Sequence, residues 1–214
     1  MGMAVRLAVM CSFFVMLPSL SAAQPAAPAR LTIGASGGVS NPLHGDLQFT
    51  AASWDVSVRA QGVPHMMVEG FASQWRHSED DIRTGVPLTG PNGPLGRIGT
   101  LTIEDRTYTD VFGFSFLPTF TAGAVTVAGG GGPALMVLRH DYAQRLSGCE
   151  PASLCRDYET QHTATTFAVA LAGTVDVRLA SRWLLFVQAR GAIPTEDPGS
   201  GHLTTSAGVR FVLW

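Results

Sequence analysis

Residues 165–179 read TTFAVALAGTVDVRL. Taken alternately, one set is Thr165, Phe167, Val169, Leu171, Gly173, Val175, Val177 and Leu179, and the other is Thr166, Ala168, Ala170, Ala172, Thr174, Asp176 and Arg178. Successive side chains of an extended strand point to opposite faces. The stretch is therefore a strand with one continuous greasy face and one face that begins small and ends charged. The same period recurs elsewhere: Trp54, Val56 and Val58 alternate with Asp55, Ser57 and Arg59, Phe112, Phe114 and Phe116 with Gly113 and Ser115, and Val209, Phe211 and Leu213 with Gly208 and Arg210. The best helical candidate, residues 122–138, is uncharged but contains Gly129 to Gly132 followed by Pro133. That run costs a helix roughly 1 kcal/mol per glycine and 3 for the proline, so it reads instead as a bend or thinned wall in a strand.

Working outward, the alternation predicts an all-β chain of eight strands, at 30–40, 47–60, 65–76, 107–117, 121–141, 160–179, 182–194 and 202–214. The connections between them are 41–46, 61–64, 77–106, 118–120, 142–159, 180–181 and 195–201. Every second one is four residues or fewer, and the others are longer. This rhythm belongs to an antiparallel up-and-down transmembrane β-barrel, with short turns on the periplasmic side and longer loops outside. Eight strands of roughly 10 residues occupy about 80 positions, whereas 16 would leave almost nothing for loops. The chain stops at Trp214, so the last strand is expected to close the barrel.

Arg6, the apolar run Leu7 to Leu17, Pro18 and the small-residue exit Ser21-Ala22-Ala23 have the layout of a cleaved secretory signal over 1–23. Residues 24–29 then form a flexible lead, and 30–214 the barrel domain. Export makes the remaining cysteines readable: Cys149 and Cys155, in a polar stretch, are expected to form a disulfide at a loop tip. Composition points the same way. Only 14% of the 214 residues are charged, against about 25% in ordinary soluble domains. The fourteen basic residues are all arginine, and the net charge of −2 carries no basic stripe, which excludes a nucleic-acid footprint.

The signal peptide, the alternating segments and the terminal strand Ala207-Gly208-Val209-Arg210-Phe211-Val212-Leu213-Trp214 resemble the small outer-membrane β-barrel family of the OmpA/OmpX kind. The resemblance covers almost all of the mature chain and rests on patterns, not fixed residues. It implies an outer-membrane location, outer-membrane lipid and the barrel-insertion machinery as partners, and a monomer; it implies no activity. Trp214 has the opposite parity to Val209, Phe211 and Leu213. Either a bulge shifts the register or Arg210 faces outward near the rim.

An eight-stranded barrel has a lumen that side chains fill. The inward set read from parity is Asp55, Arg59, Glu69, Asp176, Arg178, Arg182, Arg190 and Arg210, a mixed-charge network expected to close the lumen, with Asp55 and Arg59 as a pair. Two aromatic girdles are expected, Phe49, Trp75, Tyr108 and Tyr142 outside and Phe116, Phe120, Trp183 and Trp214 on the periplasmic side. The 77–106 and 142–159 loops are the expected contact for a surface ligand, with Leu101, Ile103 and Tyr108 able to extend the barrel as a hairpin carrying Arg97, Glu104 and Arg106.

No cofactor, metal site or catalytic residue is expected. His162, with Thr163 and Thr165, sits at the outer rim, but no serine takes a neighbouring inward position, so a lipid A-modifying enzyme is the minor alternative. A rim metal site near Glu79, Asp80 and Asp81 lacks a histidine pair at single-strand or single-helix spacing. The main rival is a soluble lipocalin-like barrel binding a small apolar ligand; it would turn its apolar face inward. The expected role is structural or surface interaction through the external loops.

Overall fold

A computed structural model describes residues 30–43, 50–63, 65–90, 93–196 and 201–213. The signal and lead over 1–29, His44, Phe49 and Trp214 lie outside these residues. Eight strands follow one another: β1 (Arg30–Pro42), β2 (Ala51–Val63), β3 (Met66–Gly90), β4 (Gly93–Ala122), β5 (Val125–Ser147), β6 (Tyr158–Arg178), β7 (Trp183–Pro194) and β8 (His202–Val212), with a 3-10 turn at Ala152–Leu154 before β6. Each is antiparallel to its sequence neighbour, and β8 pairs with β1, so the sheet closes on itself.

The register fixes the barrel's shape. Stepping across paired residues from Leu31 leads through Ala60, Val68, Phe116, Gly131, Leu171, Gly191 and Leu203 back to β1 at Asn41, ten residues from the start. With strands about 4.8 Å apart and a rise of about 3.3 Å per residue, that stagger tilts the strands by about 40°, inside the usual range for a closed barrel. Close approach of backbones accompanies the tilt. At Gly130 and Gly132 an added Cβ would collide with the carbonyl oxygens of Phe116 and Phe114, so the glycine run lets β4 and β5 pack wall to wall.

Three expected connections are corrected. Residues 77–106 are not a loop: from His77↔Thr107 up to Gly90↔Gly93 they are the paired upper arms of β3 and β4. The charged run Glu79 to Asp81 hides a strand because both faces meet water once the chain has left the barrel. Residues 118–120 are not the second short turn. Met66 pairs with Pro118 and Ala122 with Val125, so β4 runs through the proline and turns at Gly123-Ala124, where Gly123 supplies φ of 61°. The 142–159 loop shrinks to 148–157, since β5 and β6 remain paired as far as Gln144↔Tyr158.

Side-chain direction decides the solvent. Outward positions are apolar and exposed on every strand: Ile33 and Val39, Trp54 to Val58 at alternate positions, Val68, Phe112 to Phe116, Val127 and Leu135, Phe167 to Val177, Leu185 and Val187, and Val209. Inward positions hold Ser53, Asp55, Arg59, Glu69, Ser73, Thr174, Asp176, Arg190 and Arg210, all buried. A water-soluble barrel has the reverse arrangement, so the lipocalin alternative is overturned. From Phe167 to Val177 on β6 the tilted band is about 25 Å tall at the usual strand rise, the height of a transmembrane barrel's hydrocarbon belt. Trp54 Nε1 donates to Gln74 Oε1 at 3.0 Å, and Gln74 Nε2 to Asp110 Oδ1 at 2.6 Å, a polar seam at the belt's upper edge.

Candidate surface interface and the charged lumen

Six of the eight sequence-predicted lumen charges come together. Arg190 Nε lies 3.2 Å from Asp55 Oδ2, and its Nη2 3.2 Å from Glu69 Oε2. Glu69 Oε1 accepts from Arg59 Nε at 3.1 Å, and Arg59 Nη1 donates to Asp176 Oδ2 at 2.9 Å. Asp176 Oδ1 then accepts from Arg210, whose Nη2 reaches Gln188 Oε1 at 3.3 Å. The result is one chain, Asp55–Arg190–Glu69–Arg59–Asp176–Arg210, with three charges of each sign. Side chains on β2, β3, β6, β7 and β8 supply it. Two guanidiniums also lie over rings, Arg190 on Phe71 at 3.7 Å and Arg210 on Phe186 at 3.4 Å. Ser73 donates to Asp55 and Thr174 to Asp176, each at 3.1 Å. Burying six ions costs far too much unless their charges pair in this way.

Arg178 and Arg182 are exposed and stand outside this network. Arg178 keeps inward parity but is the last residue of β6, at the mouth, and Arg182 belongs to the turn before β7. Asp55 and Arg59 do not pair either, because four residues along one strand separate them by about 13 Å, while Glu69 stands directly across from Arg59. Arg210 faces inward, and neither β8 ladder has a register shift as far as Val212.

The lumen is also plugged without charge, which parity reasoning missed. Toward the outside, Phe71, Trp75, Val111, Met136, Ala168, Ala170 and Ala192 form a buried apolar layer; Met67, Leu117, Ala128 and Ala172 form another cluster. Trp75, expected in the outer girdle, is therefore a lumen residue, 3% exposed and 4.5 Å ring to ring from His202. Its parity with Glu69, Phe71 and Ser73 was the available signal. Tyr142 likewise falls on the lumen-side parity, with its ring 6.3 Å from that of Tyr158. Tyr108 is outward and partly buried, with Arg76 over its ring at 5.0 Å. Phe116, Phe120 and Trp183 are outward and exposed, and Trp183 meets Phe211 edge-on at 5.0 Å. A cavity of about 50 Å³ lies at the periplasmic mouth, between Arg30, Arg59, Asp176 and Arg178.

Above the belt the barrel is lopsided. β1, β2, β7 and β8 stop near the rim, while β3 to β6 continue as a four-stranded external sheet. The fourteen residues of β3 beyond Arg76 amount to about 45 Å of strand. A disulfide joins Cys149 to Cys155, and the loop it closes lies on the hairpin. Arg97 and Glu150 exchange backbone hydrogen bonds at 2.9 and 2.8 Å, and Gly99 N donates to Gly148 O at 3.0 Å. Beneath the contact Ile98, Leu101 and Cys149 are buried, with Val86, Ile103, Leu146 and Leu154 packed against them. This is a small core of its own, outside the membrane. A cleft of about 360 Å³ lies between loop and hairpin, lined by Thr84, Gly85, Arg97, Gly99, Gly148 and Glu150.

No protein-family model and no curated protein matches the chain. Several solved structures do. The attachment invasion locus protein of Yersinia pestis is similar at 10% identity, over 86% of this chain and 97% of that one, with a TM-score of 0.47. A major outer membrane protein of Thermus thermophilus gives 11% identity, 87% and 100% coverage and a TM-score of 0.48. Neisserial surface protein A gives 11%, 88% and 99%, and 0.40.

The external sheet carries most of the remaining chemistry. On its outer face Arg106 donates to Glu104 at 2.9 Å and Gln161 to Asp141 at 2.8 Å. On the face continuous with the lumen, His140 Nε2 and Asp105 Oδ1 are 2.8 Å apart. His162, singled out from sequence, is exposed and lies directly across from His140. Glu79, Asp80 and Asp81 bring no converged ligand set; among the described residues no group of three or more His, Cys, Asp or Glu side chains stands arranged around a common ion position.

Proposed function

We propose that this chain is an outer-membrane β-barrel whose role is structural or surface interaction, carried by the disulfide-clipped external sheet and not by transport or catalysis through the barrel. The observation that carries this reading is the contrast between the two parts. The lumen is filled by a neutral ion chain and apolar layers, while strands β3 to β6 project far beyond the rim and fold a separate small core. Side chains that reach water on that projection are of both signs, including Glu79, Asp81, Arg83, Arg97, Arg145, Arg156 and Glu159. Loops and projections on a rigid scaffold are where binding surfaces arise.

The reading assigns short turns to the periplasm and the external sheet to the cell surface. A cysteine introduced at Thr84 reacts with a membrane-impermeant maleimide on intact cells, whereas one at Ala180, in the β6–β7 turn, reacts only after the outer membrane is permeabilised. Equal labelling of both, or recovery of the mature chain as a freely soluble protein, overturns the assignment. Replacing residues 79–104 by a two-residue turn should leave the barrel's heat-modifiable gel migration intact and abolish attachment of the expressing cells to any surface that the full-length protein confers.

A further inference from the structure

The charge balance of the lumen fails at its periplasmic mouth. Arg30, Arg59 and Arg178 line the cavity of about 50 Å³ there, against one carboxylate, Asp176. The three turns at this end, 61–65, 122–125 and 178–183, contain no Asp or Glu. Both oxygens of Asp176 are engaged: Oδ2 accepts from Arg59 Nη1 at 2.9 Å, and Oδ1 accepts from Thr174 and Arg210. Arg30 and Arg178 make no ion pair among the described residues. Three cations facing one anion leave the cavity walls with a surplus of two positive charges.

One donor is buried beside that surplus without a partner. Arg59 is 2% exposed; its Nε donates to Glu69 and its Nη1 to Asp176, while Nη2 has no hydrogen-bond partner among the described residues. A buried charged donor left without an acceptor is costly. The register sets Thr32 directly across from Arg59 and Gln61 across from Arg30. Both also line the cavity, bringing a hydroxyl and an amide to it. The volume is several times the roughly 10–15 Å³ that one water needs, so a small anion fits. Arg30 is half-buried and Arg178 exposed, so the anion enters from the periplasm and the two long side chains close over it.

We propose that Arg30, Arg59 and Arg178 form a binding site for a phosphoryl group at the periplasmic mouth of the barrel. The planar N–H fork of a guanidinium matches phosphate oxygens two at a time. A doubly charged phosphate balances the surplus of two, whereas chloride or a carboxylate balances half of it. The group comes either from free phosphate or from a lipid headgroup of the inner leaflet, since headgroups lie just beyond the hydrocarbon core, at the height of this mouth. Bound there, it gives Arg59 Nη2 an acceptor and joins β1, β2 and β6 across the opening. The site lies at the opposite end of the barrel from the external sheet and is independent of any surface role.

The test uses the full mature chain in detergent micelles, dialysed free of phosphate at low salt and titrated calorimetrically with sodium phosphate. One phosphate binds per chain, and added salt weakens it. Arg30→Gln and Arg178→Gln each weaken binding about tenfold, and the double variant abolishes it. Arg182→Gln, the same loss of charge in the adjoining turn, changes it by less than about twofold. None of these three residues belongs to the ion chain, and heat-modifiable migration verifies folding of each variant. If a variant fails to fold, phenylglyoxal mapping of the unaltered protein decides the matter: phosphate shields Arg30 and Arg178 and leaves Arg97, on the external sheet, as reactive as before. Phosphatidylglycerol added to the micelles assigns the source, since competition with inorganic phosphate identifies a lipid headgroup and its absence the free ion. No saturable phosphate binding, affinity unchanged in the Arg30 and Arg178 variants, an equal loss in Arg182→Gln, or no shielding of those arginines overturns the proposal.

Discussion

Asp176 is the residue on which the lumen turns, because its carboxylate joins Arg59 on one side to Arg210 on the other. Asp176→Asn leaves buried Arg210 without a carboxylate partner and Arg59 with Glu69 alone, and breaking a buried pair this way costs about 3–5 kcal/mol, read as a lowered urea midpoint for unfolding from lipid vesicles. The double variant Asp176→Asn, Arg210→Met should lose less than the sum of its single variants, because removing the cation removes the uncompensated charge; strictly additive losses would mean that the contact carries no coupling. On the outward face the opposite rule holds. Leu171→Arg, at mid-belt, costs about 2–4 kcal/mol by the same assay, and Leu171→Val far less. Period-two parity was enough to find Asp55, Arg59, Glu69, Asp176, Arg190 and Arg210 in the sequence. It failed at Arg178 and Arg182, because parity says which way a residue points and not whether the barrel wall is still there. Partners were out of its reach as well: Glu69 stands across from Arg59 through the β2–β3 register, which no single strand reveals.

At the scale of elements, the β3–β4 hairpin and the loop at 148–157 act as one unit. They share Ile98, Leu101 and Cys149 and the backbone exchange between Arg97 and Glu150. The unreduced mature chain, from which Cys11 has been removed with residues 1–23, should therefore contain no free thiol. Protease added to intact cells should spare 77–106, whose backbone is paired, and cut within 148–157 only after reduction or in Cys149→Ala, Cys155→Ala; rapid cleavage of 77–106 with the disulfide intact would show that the hairpin is not held. Barrel stability should be unaffected, because the clip lies above the belt. The bridge was legible from export and spacing alone. The hairpin was legible only in part, through Leu101, Ile103 and Tyr108. An external strand has no single buried face, so its alternation fades although its ladder continues. Pro118 misled for a related reason, since proline usually ends a strand and here sits within the lower end of β4.

For the whole molecule the deciding quantity is which solvent each face meets. Chain order, strand number and closure followed from alternation and loop rhythm, because both are consequences of a wall one residue thick between hydrocarbon and a narrow interior. The apolar part of that interior's filling did not follow, since Trp75, Phe71 and Met136 look like belt residues until parity and register place them inside. Their presence sharpens the expectation for conduction. An ion crossing the lumen would have to part the apolar layer at Trp75, Val111 and Met136, then pass the chain from Asp55 to Arg210. Purified protein in planar bilayers should show no steady large conductance. Thinning the apolar layer alone, with Trp75→Ala and Met136→Ala, should leave it closed, because the ion chain below still spans the lumen. Adding Glu69→Ala and Arg190→Ala removes the central link between Asp55 and Arg59 and should produce small, flickering openings in a barrel that still migrates heat-modifiably. Steady conductance in the unaltered protein would mean that the ion chain lines a path and does not block one, and the case for a surface role resting on a sealed interior would fall with it.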